Sequence, residues 1–205
     1  LETKEEIYVQ VPEEADEALI PPGTQQAGTV YTIGDSEGRH APFRIETQAL
    51  SGSGKTNISG TPGSEMKESF ETACDYLQAN MRELSRDEKL DDYNINVQVL
   101  NPSDASEGGE TSVGLLVGIV SGILDRPVRS QTVVFGAMSI MGELVAVSSL
   151  VDKLQLAADS GANTVLLPAK NKEDLTKIPD ELLDQLQLVF YTNPLDAASK
   201  AIELD

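Results

Sequence analysis

Histidine and cysteine each occur once in these 205 residues, and tryptophan is absent. Each shortage removes chemistry. The lone Cys74 cannot form a disulfide within the chain, and without a Cys/His cluster there is no structural zinc site. Any Ser-His or Cys-His machinery would have to use His40. Serine-lysine chemistry survives these exclusions. Positive charge is also scarce: 34 acidic against 15 basic residues give a formal charge of −19 and a pI near 4.3. Such a segment repels phosphate backbones, so DNA contact by this domain is not expected. Long apolar runs are missing too. The longest, Val113 to Leu124, is too short for a bilayer and is interrupted by Gly114, Gly118, Ser121 and Gly122. No membrane association is expected, and no signal peptide follows Leu1, so the segment reads as a piece of a longer cytoplasmic protein.

Roughly 80 apolar side chains, 40% of the chain, suffice for one core without staples. Residues 1–24 carry seven acidic residues and one lysine before Pro21-Pro22-Gly23, which reads as an acidic linker with a short strand at Ile7 to Val11. The folded domain is then 25–205. Thr29 to Ile33 and Pro42 to Leu50 alternate apolar and polar residues around a turn, the pattern of a hairpin, and a third strand is expected at Thr56 to Ser59. Ser64 is placed to cap a helix with apolar positions Met66, Phe70, Ala73, Leu77, Met81 and Leu84. Asn94 to Leu100 alternates as a half-buried strand, a polar loop follows to Gly109, and helical spacing resumes over Val113 to Leu124. Strands are expected at Thr132 to Phe135, Glu143 to Val147, Thr164 to Leu167 and Gln187 to Tyr191. Helices are expected at Ser149 to Ser160, at Asp180 to Leu186, and after an Asn193 cap with Pro194 in the first turn. Strands first, then alternating strand and helix, indicate an α+β or mixed α/β domain.

Ser51-Gly52-Ser53-Gly54-Lys55-Thr56 invites a phosphate-loop reading. That motif needs glycine five residues before Gly54, where Ala49 stands, and a helix after it, where a strand is expected. A glycine-rich hairpin turn is the better reading, and no nucleotide site or other cofactor is expected in this chain.

Met66-Lys67-Glu68-Ser69, Arg126-Pro127-Val128-Arg129 and Gly161-Ala162-Asn163-Thr164-Val165-Leu166-Leu167-Pro168 resemble motifs of the Lon-type serine peptidase domain. The resemblance covers about residues 25–202. It implies the Lon proteolytic fold, mixed sheets flanked by helices, attached to the chain's own upstream ATPase domain, where ATP would bind. It also implies a homo-oligomer, typically a hexameric ring, and a Ser-Lys dyad acting on polypeptide. Within the family, Val30-Tyr31-Thr32-Ile33-Gly34 and the first helix look most like the Lon-related proteins of BREX phage-defence systems, which implies action on DNA by the whole protein.

A serine becomes a nucleophile only when a base takes its proton, and a lysine is that base only where burial or a cationic neighbour favours its neutral form. On the family's motifs, Lys153 falls on the catalytic lysine. Without gaps, Glu110 falls on the serine, and Ser112 lies two residues late. Placing Ser112 on the serine instead requires two residues deleted within the helix, which turns its far end by roughly 200°. The ungapped register is therefore preferred, and in it Glu110 could form an ion pair with Lys153. The plainer alternatives are a surface Lys153, a Glu110 favoured by about 0.3–1 kcal/mol at a helix N-terminus, and a Ser112 that is an ordinary first-turn serine. Further departures from the family are Phe135-Gly136-Ala137 for T-G-E, Ser148-Ser149 for G-G, and Asn96 and Gln98 for two histidines. Asp125-Arg126-Pro127 and Thr132 to Gly136 look closer to the Lon-like domain of the repair protein RadA, which lacks the dyad. Two functions follow: an assembly and coupling module with an incomplete dyad, or an ATP-dependent endopeptidase using Ser112 and Lys153. Asp152 is expected to be a surface charge and Cys74 to be packing.

Overall fold

A computed structural model describes residues 19–36, 38–100, 108 and 110–204. The strand expected at Ile7 to Val11 and most of the polar loop before Gly109 lie outside them. Antiparallel strands β1 (Thr29–Ser36) and β2 (Arg39–Ser51) form the expected hairpin. Then come β3 (Thr56–Ser59), helix α1 (Ser64–Leu84), β4 (Tyr93–Leu100) and helix α2 (Ser112–Leu124). The second half holds β5 (Thr132–Val134), the small hairpin β6 (Ala137–Met138) and β7 (Leu144–Val145), α3 (Leu150–Asp159), β8 (Thr164–Pro168), α4 (Asp180–Gln185), β9 (Gln187–Tyr191) and α5 (Pro194–Ala201).

Seven strands form one mixed sheet in the order β3-β4-β2-β1-β5-β8-β9. Its first half is built by antiparallel pairing of β1, β2 and β4, and its second by parallel pairing of β1, β5, β8 and β9. Parallel neighbours need crossovers: α1 connects the edge strand β3 to its parallel neighbour β4, and α3 and α4 lie between the parallel strands of the second half. In the middle strand β1, Val30 and Thr32 face α2, while Tyr31 and Ile33 join the cluster under α3. The period-two alternation thus feeds two apolar layers. One layer gathers α1, α2 and α5; the other gathers α3 and α4.

Helix α2 lies against the sheet because its glycines permit close approach. A Cβ on Gly118 would stand 3.1 Å from Val30 Cγ1 and 3.2 Å from Thr47 Oγ1. Ser121 Oγ accepts from Gly28 N at 2.8 Å and donates to the Arg126 carbonyl, fixing the far end of the helix to the start of β1.

Several details differ from expectation. Ser64 is the first residue of α1, and Gly63 takes the cap position. The glycine-rich segment 51–56 is not a hairpin turn, because β2 and β3 flank β4 on opposite sides. It passes around the start of β4, where Asn94 Oδ1 accepts from Ser53 N and Lys55 N. The β6 strand and the 3-10 segment Ala169–Lys177 were not anticipated. The last residues of the acidic N-terminal segment lie against the domain: Ile20 is buried in the α3 layer.

Candidate functional site

Three chain segments converge at one point: the end of β1, the residue two before α2, and the first turn of α3. The amphipathic α3 buries Leu150, Leu154 and Ala157 against the sheet. One residue before Leu154, Lys153 is carried inward and is 0% exposed. Its Nζ donates to Glu110 Oε2 at 2.6 Å and to Asp35 Oδ2 at 3.1 Å, with Ser148 Oγ at 3.5 Å. Glu110 occupies the left-handed region at φ 62°, a conformation uncommon outside glycine, and also accepts from Ser148 N at 3.3 Å. Ser149, which stands at the second glycine of the family motif, is left-handed too, at φ 47°. The other oxygen of Asp35 holds His40 Nδ1 at 2.7 Å across the β1–β2 hairpin. The result is a continuous chain of polar contacts from His40 through Asp35 and Lys153 to Glu110.

The carboxylates differ in access. The Asp35 side chain is 34% exposed and that of Glu110 is 22% exposed, while Lys153 is closed off. Asp35 lines a cleft of about 380 Å³ together with Ser112, Ser69, Thr72, Glu65 and Glu68. Ser112, at the first position of α2 and 3% exposed, accepts from Met138 N at 2.9 Å. Among the described residues no hydrogen bond joins Ser112 to Lys153. Val113 N donates to the Gly136 carbonyl at 3.2 Å, so two adjacent residues of α2 are fastened to β6 and the residue that leads into it. Gly136 is required there: its φ is 130°, and a Cβ would fall 2.2 Å from the Tyr191 hydroxyl. That hydroxyl donates to the Phe135 carbonyl. Burial pushes the Tyr191 phenol far above its usual range.

The sequence candidates thus divide. Lys153 and Glu110 meet, and the surface alternative for Lys153 is excluded. Glu110 lies one residue before the N-cap of α2, and its carboxylate is given to Lys153 and the Ser148 amide. Ser112 stands nearby on its own hydrogen bond. Asp152 is exposed. Cys74 is buried in the α1 layer, and burial, with Asp75 and Glu71 adding, pushes its thiol up to about 12. Sequence reasoning missed Asp35 and His40, although an acidic residue closing a buried strand was a usable signal. Asn96 and Gln98 face a separate polar depression of about 420 Å³ with Glu46 and Gln48. Among the described residues, no group of three or more His, Cys, Asp or Glu is placed to hold a metal ion, and no helix is long and apolar enough to cross a membrane.

This fold and these motifs agree with comparison to known proteins: the model of the Lon protease (S16) C-terminal proteolytic domain matches residues 23–203. The chain belongs to the Lon C-terminal proteolytic domain family. It is 36% identical over 203 residues to the Lon-like protease BrxL of Escherichia coli O9:H4 (strain HS), covering 98% of this chain and 29% of that protein. Against the Lon-like protease BrxL of Bacillus cereus (strain H3081.97) it is 34% identical over 208 residues, covering 100% and 30%. Lon protease 1 of Thermus thermophilus is 30% identical over 147 residues, 71% of this chain and 18% of that protein. The chain therefore spans about three-tenths of the length of its BrxL relatives.

Proposed function

We propose that this Lon-family domain has given up peptidase chemistry and serves as an assembly and coupling module of a larger ATP-driven protein. The observation that carries the reading is the environment of Lys153. A general base must offer a lone pair to the hydroxyl it activates. The Lys153 nitrogen instead donates to the carboxylates of Glu110 and Asp35, and among the described residues no hydrogen bond joins it to Ser112. Ser112, the remaining nucleophile candidate, bonds to Met138 N. The ungapped register, which sets Glu110 on the family's serine, supports the same reading.

The role in the whole protein rests on the BrxL relatives and on the family resemblance. We infer an upstream ATPase domain that binds ATP, a homo-oligomeric ring, and a part in BREX-type phage defence. An acidic domain of this kind contributes contacts between subunits and does not grip DNA. The test is ATP-dependent hydrolysis of casein by the full-length protein and by Ser112→Ala and Lys153→Ala variants. No hydrolysis above background is expected from any of them. Hydrolysis by the parent that both substitutions abolish would sink this reading and establish the endopeptidase in its place.

A further inference from the structure

Ile20 precedes the part of the chain matched by the family model, yet it is 2% exposed and packs in the same apolar layer as Leu150, Leu154 and Ala157 of α3. Its backbone N donates to the carbonyl of Ser160, the C-cap of α3, at 2.9 Å. Three residues on, Gly23 is tied down as well: its N donates to Ser130 Oγ at 3.0 Å, and Ser130 Oγ donates to the Gly23 carbonyl at 3.0 Å. Ser130 stands two residues before β5. Between the two anchors, Pro21 and Pro22 fix φ and have no N–H to lose, so the segment is stiff. A stiff segment held by a buried side chain at one end and a hydroxyl at the other transmits displacement instead of absorbing it.

We propose that residues 20–23 are a coupling strap: movement of the chain ahead of Ile20 is passed to the C-terminal end of α3, and through that helix to the Lys153 cluster in its first turn. Helix α3 has ten residues, about 15 Å at 1.5 Å per residue, and its buried stripe moves as one unit. A pull that withdraws Ile20 removes an apolar side chain from beneath the helix and a hydrogen bond from its last turn together. The strap rests on the inferred upstream motor, because that is what would move the chain ahead of it.

The experiment is hydrogen exchange on the full-length protein with and without ATP, comparing α3 amides with those of α1 and α5. In the parent, α3 exchange changes with nucleotide while α1 and α5 hold still. Ile20→Ala speeds α3 exchange by about tenfold or more and erases its nucleotide dependence. Ser130→Ala, a milder change that leaves the apolar anchor in place, reduces that dependence without erasing it. A nucleotide response of α3 that persists in Ile20→Ala, or parent α3 exchange that ignores nucleotide, overturns the strap. Failure of the functional reading is separately visible, either as casein hydrolysis or as a full-length protein that hydrolyses no ATP.

Discussion

The two layers of this domain are stabilised differently. Over the α1 and α2 face, eleven of the thirteen residues of α2 are buried, and Leu115, Leu116, Val117, Ile119 and Val120 are fully enclosed. Over the other face, α3 is narrowly amphipathic and carries a buried ammonium at its first turn. Apolar packing is non-directional and tolerates exchange of shape. A buried charge tolerates nothing unless its partners stay in place. The first face is what holds the fold, and the second is where a specific arrangement has been kept at a cost.

Breaking the apolar layer has the largest effect. Leu116→Ala should destabilise the domain by about 2–5 kcal/mol in urea unfolding, leaving a cavity in the middle of that layer. Next comes Lys153→Met, which leaves Asp35 and Glu110 facing one another without their cation. A fully desolvated pair broken on one side costs about 3–5 kcal/mol; partial exposure of both carboxylates lowers the expectation to about 2–3. Adding Glu110→Gln and Asp35→Asn to Lys153→Met should recover much of that loss, whereas no polar substitution rescues Leu116→Ala. Glu110→Gln alone should cost less, about 1–2 kcal/mol, because Asp35 still pairs with the lysine.

How far the sequence reaches follows the same division. Apolar periodicity exposes the strands and the helices of both layers, including the Leu150, Leu154 and Ala157 stripe, because burial is a one-dimensional pattern. Asn193 was legible as a cap, and its side chain accepts from Asp196 N at 2.9 Å. Register against the family motifs brought Glu110 and Lys153 together. Asp35 was not legible as a partner of Lys153, since the two lie 118 residues apart in sequence, and neither periodicity nor motif spacing reports such a pairing. The β6–β7 hairpin was partly lost for a related reason: two-residue strands have too few positions to show alternation.

The smallest expected effect lies away from both apolar interiors, on the polar side of α5 near its cap. Burial pushes the Asp196 carboxyl up, but hydrogen bonds from Lys200 and from the backbone and hydroxyl of Thr192 outweigh it and hold the group below its usual range. A carboxylate depressed on folding stabilises the native state above its unfolded pKa, and that contribution is lost as pH falls through the folded value. Asp196→Asn should therefore be less stable than the parent at neutral pH by about 1 kcal/mol or less. Thermal melts of the two should converge in acid.

The central claim is that Lys153 is engaged by Glu110 and Asp35 and does not activate Ser112. Its most direct test is reaction of the folded full-length protein, in the presence of ATP, with a serine-directed fluorophosphonate, the adduct being located by peptide mass spectrometry. The account predicts no adduct on Ser112. An adduct on Ser112 that disappears in the Lys153→Ala variant would contradict it.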